Sequence, residues 1–143
     1  MKVLFDASVI VPALVDQLVR HTACFETFVS YTAGSNTGVC STHCLAECYA
    51  VLTALPLQQR ITPDEASKLI RESVVARMEI VSLNQAEYLE AIANVSVRGL
   101  SSGIIYDALH VAAAVKSSCS RIYTYNLEHF RLLCPPGMLL SAP

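Results

Sequence analysis

Residues 101–118, SSGIIYDALHVAAAVKSS, constrain the fold of this chain more than any other segment. They have the composition of a helix that is apolar on almost every side, and such helices are buried, yet Asp107 lies in the middle. A carboxylate removed from water needs a positive charge, hydrogen bonds or a metal ion, or it stays protonated. Alternatively, Asp107 lies on a narrow polar stripe with Gly103, His110 and Ala114. The surroundings of the other acids help to decide between these interpretations.

The composition predicts a folded domain without a strongly basic surface. The chain has 143 residues, 53% of them hydrophobic and 15% charged, with no break in composition, so a single domain covering residues 1–143 is expected. A net charge of −2 excludes a strongly basic nucleic-acid-binding protein, although not a local basic patch. Part of the apolar excess is expected to cover a partner or a second copy, which favours a homodimer.

The cysteines favour a reducing compartment. Six of them lie in apolar surroundings without the spacing of a disulfide framework, which is typical of buried thiols in the cytoplasm. A zinc site of His43 with Cys40, Cys44 and Cys48 is disfavoured, because C-x2-C pairs are missing and four-residue spacing also describes one buried helix face. Asp6 interrupts the N-terminal apolar stretch, so no signal peptide, membrane span or membrane partner is expected.

Short β-prone segments alternate with helical patterns along the chain. Strands are predicted at residues 2–5, 38–41, 79–82, 121–125 and 138–140. Helices are predicted after Ser8, at residues 17–33, 43–55, 62–77, 84–98 and 101–118, and after Asn126. The alternation predicts an α/β fold with a parallel sheet covered on both faces. The central helices, 62–77 and 84–98, show no site and are expected to shape a partner surface.

Two further acids share the unusual surroundings of Asp107. Asp6 ends the first strand, where ligands bind in open α/β sheets, and a short helix capped by Ser8 is expected to follow. Alternatively, Asp6 only caps that helix. Glu47 lies among apolar residues of helix 43–55. Alternatively, Glu47 lies on an exposed stripe of this helix, where it pairs with His43 one turn away.

Convergence of three carboxylates would have a chemical consequence. They would repel one another, and the usual remedy is a divalent cation or a shared proton. Ligands that are all oxygen favour Mg²⁺ or Mn²⁺ over zinc. Such a cluster would hold a metal that orients water for attack on a phosphodiester. The sequence contains no GxSxG, P-loop or GxGxxG motif, so none of the chemistries that these motifs mark is indicated.

Four segments together carry a family resemblance. Asp6 in FDASV, Glu47 in AECYAVLT, Asp107 in GIIYDALHVAAA and the terminal TYNLEHF resemble the PIN-domain ribonucleases, specifically the VapC-type toxins of toxin-antitoxin pairs. The resemblance covers essentially the whole chain. It implies a three-layer α/β/α sandwich with a short, mostly parallel sheet. It also implies an endoribonuclease dependent on Mg²⁺ or Mn²⁺ that cuts structured RNA, such as tRNA or rRNA, and is inhibited by a small cognate antitoxin.

The resemblance also assigns residues. It implies metal binding by three acids, Asp6, Glu47 and Asp107, and catalysis by these acids together with Asn126. Ser8 and Thr124 match the supporting polar residues of the family. Asn126 stands where many members have a fourth acid, and its amide oxygen can bind a hard cation but brings no charge. The number of metal ions, one or two, therefore stays open.

Two functional hypotheses other than a nuclease remain. A catalytically silent PIN-like module that binds RNA or protein would explain the missing fourth acid and the few basic groups. A phosphoacceptor receiver domain also uses an acid at a strand end. It is disfavoured because paired acids near the first strand and a lysine after a late strand are both missing.

Overall fold

The centre of the protein is one parallel β-sheet, seen in a computed structural model that describes all residues from 1 to 143. Its strands are β1 (Lys2–Phe5), β2 (Thr37–Ser41), β3 (Glu79–Val81), β4 (Arg121–Tyr123) and β5 (Leu139–Ser141). Their order is β3-β2-β1-β4-β5, and every neighbouring pair is parallel. Parallel neighbours need crossover connections, which the helices provide. The predicted parallel sheet is confirmed.

Seven α-helices surround the sheet. They are α1 (Ala7–Leu14), α2 (His21–Thr32), α3 (Thr42–Ala54), α4 (Pro63–Leu69), α5 (Gln85–Val97), α6 (Ile104–Lys116) and α7 (Leu127–Leu133). A π-helical segment, Ile70–Val75, continues α4. Thr62 and Asn84 each close a capping box at the start of a helix, at α4 and α5. Each such cap stabilises the protein by about 1 kcal/mol.

Alternating residues of the strands build a core on each face of the sheet. Phe5 on β1 packs in a cluster with residues of α1 to α4, among them Ile10, Phe28 and Leu52. Leu4, its neighbour on β1, packs in a separate cluster with Phe130 of α7 and residues of α6. Successive side chains of a strand point to opposite faces, so two clusters mean helices on both sides. The predicted three-layer α/β/α sandwich is confirmed.

The strand order creates a crevice beside β1. From β1 the chain moves to β2 on one side, and β4 later adds on the other side. Ligands in open α/β sheets bind outside the carboxyl ends of strands at such a reversal. Phe5 pairs in register with Tyr123, so Asp6 and Thr124 follow at the same edge of the sheet. The fold therefore brings together two residues that are far apart in sequence.

The start of α1 differs from the prediction. Its N-cap is Asp6, whose backbone is extended and whose carboxylate accepts a hydrogen bond from the Ser8 backbone N–H at 3.1 Å. Ser8 lies inside the helix instead of capping it. Aspartate and serine are equally good caps, so the local sequence does not decide between them. Asp6 therefore caps the helix, as the alternative interpretation held. It is also buried, with 5% of the residue exposed.

Strand β4 is also shorter than predicted. It ends at Tyr123, two residues before the predicted end at Tyr125. The reason is a turn, in which the backbone N–H of Asn126 donates to the Thr124 hydroxyl at 2.9 Å. This turn carries Asn126 to the start of α7.

The cysteines form no disulfide and no metal cluster. All six are free, and five of them are buried. Cys44 lies 4.0 Å from Cys48 between sulfur atoms, and hydrogen bonds with Cys40 and Cys48 together with burial raise the pKa of Cys44 well above its ordinary value. The Cys44 thiol therefore stays protonated at neutral pH. None of the helices has the length and apolar composition needed to cross a lipid bilayer.

A groove of about 640 Å³ lies between α5, α6 and α7. Apolar side chains dominate its lining, with Glu87, Arg98 and Lys116 also present. Among the predicted central helices, α5 contributes to it. The partner surface expected of those helices stays a prediction.

Candidate active site

Asp6 is held by two hydroxyl groups at the carboxyl edge of the sheet. Its Oδ1 accepts from the Ser8 hydroxyl at 2.6 Å, and its Oδ2 accepts from the Thr124 hydroxyl at 2.7 Å. The Ser8 oxygen in turn accepts from the backbone N–H of Tyr125 at 2.9 Å. Both residues predicted to support the site thus contact Asp6. Together they tie the first turn of α1 to the end of β4.

Burial dominates the ionisation of Asp6. It raises the pKa of this carboxyl above its ordinary value, and the hydrogen bonds from Ser8 and Thr124 offset the effect only in part. The negative charge of Asp107 raises the pKa of Asp6 further. A nearby cation would favour the ionised form of Asp6.

Asp107 lies on α6 with its side chain 15% exposed. One oxygen, Oδ2, accepts from the Asn126 amide at 3.0 Å and from Nδ1 of His129 at 2.8 Å. The other oxygen, Oδ1, accepts no hydrogen bond from the protein. Burial raises the pKa of Asp107 and the charge of Glu47 adds to this, while His129 opposes it. Asn126 therefore lies beside the third acid and uses its N–H₂ group there.

Glu47 on α3 is held by two imidazoles. Its Oε1 accepts from Nε2 of His43 at 2.8 Å and from Nε2 of His110 at 3.0 Å, whereas no protein group donates to Oε2. The pairing with His43 that the sequence offered as an alternative is therefore present. Burial by itself raises the pKa of Glu47, but the hydrogen bonds and charges of the two histidines lower it below its ordinary value. Glu47 is thus ionised at neutral pH.

His110 links Glu47 to the end of β2. Its ring is 1% exposed, and its Nδ1 lies 2.8 Å from the Ser41 hydroxyl. A carboxylate only accepts hydrogen bonds, so Nε2 of His110 carries the proton toward Glu47. In the neutral ring Nδ1 then accepts from Ser41, whose oxygen also caps α3 through the N–H of Cys44 at 3.0 Å. The narrow polar stripe offered for Asp107 does not exist, because His110 is buried.

The sequence reasoning missed the roles of His110 and His129. Both have a simple signal. His110 follows Asp107 by three residues on one helix, and His129 follows Asn126 by three. Side chains three or four residues apart on a helix lie on the same face. The spacing therefore places each histidine on the face of a candidate site residue, although the hydrogen-bonding partner of His110 is Glu47 of α3 and not Asp107.

The structure brings the predicted acids into electrostatic contact. The charge of Asp107 raises the pKa of Asp6, and the charge of Glu47 raises that of Asp107, so the acids repel in pairs. As they stand, however, no three His, Cys, Asp or Glu side chains form a group that could hold a metal ion. The chemistry of the donors still suits a hard divalent cation, because oxygens of Asp107 and Glu47 are free of protein donors.

Comparison with known proteins identifies the fold. A family model of the PIN domain matches residues 3–133. The chain belongs to the PIN-domain family. Ribonuclease VapC27 of Mycobacterium tuberculosis is 33% identical over 111 residues, which are 78% of this chain and 75% of that protein. The PIN domain here is thus of the VapC type, as the sequence resemblance predicted.

Solved structures agree with this assignment at the level of the fold. VapC20 of Mycobacterium tuberculosis, described as a sarcin-ricin loop cleaving toxin, aligns with a TM-score of 0.70 at 12% identity over 91% of this chain and 94% of its own. VapBC2 from Rickettsia felis, bound to a fragment of its promoter DNA, aligns with a TM-score of 0.65 at 18% identity over 100% and 99%. FitAcB from Neisseria gonorrhoeae aligns with a TM-score of 0.67 at 16% identity over 99% and 97%. PIN nucleases are generally dependent on a divalent metal.

Proposed function

We propose that this PIN-domain protein is a divalent-metal-dependent endoribonuclease and the toxin of a toxin-antitoxin pair. The observation that carries the proposal is the set of three carboxylates, Asp6, Glu47 and Asp107, in which Asp107 repels both of the others, in a PIN domain. The related VapC27 is named a ribonuclease. The proposed substrate is a structured RNA, such as a tRNA or rRNA loop.

Mg²⁺ or Mn²⁺ is the proposed cofactor, held by the three acids. Such an ion supplies charge neutralisation during phosphodiester hydrolysis and lowers the pKa of water. The protein prepares the ligands by fixing one oxygen of Glu47 with His43 and His110 and one oxygen of Asp107 with Asn126 and His129. The second oxygen of each is left for the cation.

Asn126 limits the charge of the proposed site. Its N–H₂ group donates to Asp107, and it brings no negative charge to the position where many family members have a fourth acid. Three carboxylates suffice for one firmly held cation. A second cation would be recruited only when the substrate phosphate adds its own charge.

The proposed partners are a cognate antitoxin and a second copy of the chain. VapBC complexes are among the structures with this fold. Charge complementarity favours an antitoxin segment with a cation that reaches the acid-lined site. A cytoplasmic location is part of the proposal and agrees with six free thiols.

The proposal is tested by metal titration of antitoxin-free protein on a mixed pool of tRNA and rRNA. Wild type should produce discrete cuts with Mg²⁺ or Mn²⁺ and none with EDTA. Asp107→Asn, at nearly unchanged volume, should cut at least about 100-fold more slowly, since electrostatic stabilisation by one such group is of this order. Asp64→Asn is a matched control, because Asp64 is 79% exposed on α4.

Two outcomes would contradict the proposal. Retained metal-dependent cleavage by Asp107→Asn would remove the acid from the mechanism. RNA binding that is equally tight with EDTA and with Mg²⁺, without cleavage under any metal, would describe a silent binding module instead.

A further inference from the structure

A column of four aromatic rings runs from the core to the surface beside the acids. Tyr106 stacks on His43 with ring centroids 4.9 Å apart and planes at 10°. His43 packs on His110 at 5.7 Å, and His110 lies parallel to Phe130 at 6.5 Å. Exposure falls along the column, from 51% at Tyr106 to 1% at His110 and 0% at Phe130. Tyr106 is thus the outermost ring of a stack that is anchored in the core.

The rings beneath Tyr106 are fixed in place by hydrogen bonds. His43 and His110 both donate to Glu47, and His110 also contacts Ser41. The His43 ring therefore cannot turn without breaking its bond to Glu47. Tyr106 therefore stacks on a ring whose own orientation is fixed before any ligand arrives.

Tyr106 keeps surface free for a partner. His43 covers one face of its ring, and half of the residue is nevertheless exposed. The phenol oxygen makes no hydrogen bond within the protein, so the structure uses Tyr106 for its ring and not for its hydroxyl. An exposed aromatic face on a rigid support suits a flat partner.

Tyr106 lies near the proposed cleavage site. Its stacking partner His43 is bonded to Glu47. A base stacked on the outer face of Tyr106 would therefore be separated from Glu47 by the Tyr106 and His43 rings.

We propose that Tyr106 is a stacking platform for an unpaired nucleobase of the RNA substrate, at the margin of the proposed cleavage site. This inference rests on the proposed function and narrows its substrate to RNA with a splayed or single-stranded base. Every base has a flat face that stacks on aromatic rings, whereas bases inside a duplex are already stacked. A protein with a net charge of −2 has little general attraction for phosphates, so uncharged base contacts gain importance.

The test uses the full chain and a short single-stranded RNA in which 2-aminopurine replaces one base at a time. Binding is followed in EDTA, where the proposed enzyme does not cut, through the quenching of 2-aminopurine on stacking. Wild type and Tyr106→Phe should quench the probe at one position of the RNA. Tyr106→Leu keeps apolar bulk without a ring, and it should bind about 5- to 150-fold more weakly and lose the quenching.

Tyr49→Ala is the matched control, because Tyr49 is 42% exposed on α3 and takes part in none of these ring contacts. It should bind and quench like wild type. With Mn²⁺, Tyr106→Leu should raise KM for RNA while the Mn²⁺-induced rise in melting temperature is kept. That rise shows that the acids are intact.

If Tyr106→Leu bound the RNA and quenched 2-aminopurine like wild type, the proposed stacking role of Tyr106 would be overturned. A loss of antitoxin binding in Tyr106→Leu with RNA binding unchanged would also overturn it, and would assign the ring to a protein interface. The two proposals fail separately. Metal-dependent cleavage without ring-dependent quenching overturns the platform alone, and ring-dependent quenching without cleavage under any metal overturns the nuclease alone.

Discussion

At the scale of single residues, Asp107 is the acid whose replacement is most informative for stability. Burial and the charge of Glu47 raise its pKa above the ordinary 3.8 in the folded protein. A raised folded pKa favours folding when the carboxyl is protonated, and this contribution is lost as the pH rises through the folded value. At neutral pH the ionised Asp107 therefore destabilises the metal-free protein.

Asp107→Asn should accordingly melt at a higher temperature than wild type in EDTA near pH 7. Below the ordinary pKa of 3.8 both proteins are neutral at this position, and the difference should shrink. Thermal unfolding followed by circular dichroism at the two pH values measures it. A wild type that is the more stable protein near pH 7 without metal would show that the hydrogen bonds from Asn126 and His129 outweigh burial.

Asn126 is the residue that sets the charge of the site. Asn126→Asp replaces a donor that lies 3.0 Å from Asp107 with a second carboxylate. The lost hydrogen bond to a charged group costs about 1.5–3 kcal/mol of metal-free stability. Mn²⁺ should then bind more tightly and with a second step in isothermal titration calorimetry. An unchanged isotherm would mean that position 126 does not face the cation.

At the scale of elements, signals within one helical turn predicted the starts of two helices, whereas contacts between distant elements had no such signal. The starts of α4 and α5 were predictable because Thr62 with Glu65, and Asn84 with Glu87, act within one helical turn. The same local reasoning could not choose between Asp6 and Ser8 as the cap of α1. The contact of His110 with Glu47 spans 63 residues of sequence, and only the packing of α6 on α3 creates it.

His110 should act as a positioning residue that joins these two helices. His110→Ala leaves Ser41 and Glu47 without their buried partner, which costs about 1–3 kcal/mol of stability. His110→Gln places an N–H₂ group near the former Nε2 and should recover part of both stability and Mn²⁺ affinity. Urea unfolding and calorimetric Mn²⁺ titration of the two variants measure this. If His110→Ala bound Mn²⁺ as tightly as wild type, His110 would have only a structural role.

At the scale of the whole molecule, the alternation of strands and helices predicted a parallel sheet with two covered faces, but not the order of its strands. Reversal of direction at β1 depends on which crossover packs on which face, and no local pattern encodes that choice. The unusual surroundings of each acid and the strand end before Asp6 predict that the three acids converge, and the structure couples Asp107 electrostatically to Asp6 and to Glu47. Only the three-dimensional structure shows that each acid has its own pair of hydrogen-bond donors.

The predicted homodimer belongs to this scale as well. Large apolar side chains stay exposed, among them Val97 at 88% and Val115 at 52%. Covering such groups favours association. Sedimentation velocity of the antitoxin-free protein should give twice the 15.5 kDa mass of one chain. A species of 15.5 kDa at all accessible concentrations would contradict the dimer.

The most direct test of the account is calorimetric Mn²⁺ binding to wild type and to three variants, Asp6→Asn, Glu47→Gln and Asp107→Asn. Asp64→Asn serves as the exposed control. The account predicts one site in wild type and in the control, and binding at least about 10-fold weaker in each of the three variants. Equal affinity in all five proteins would contradict a metal site made of these acids, and the proposed nuclease mechanism with it.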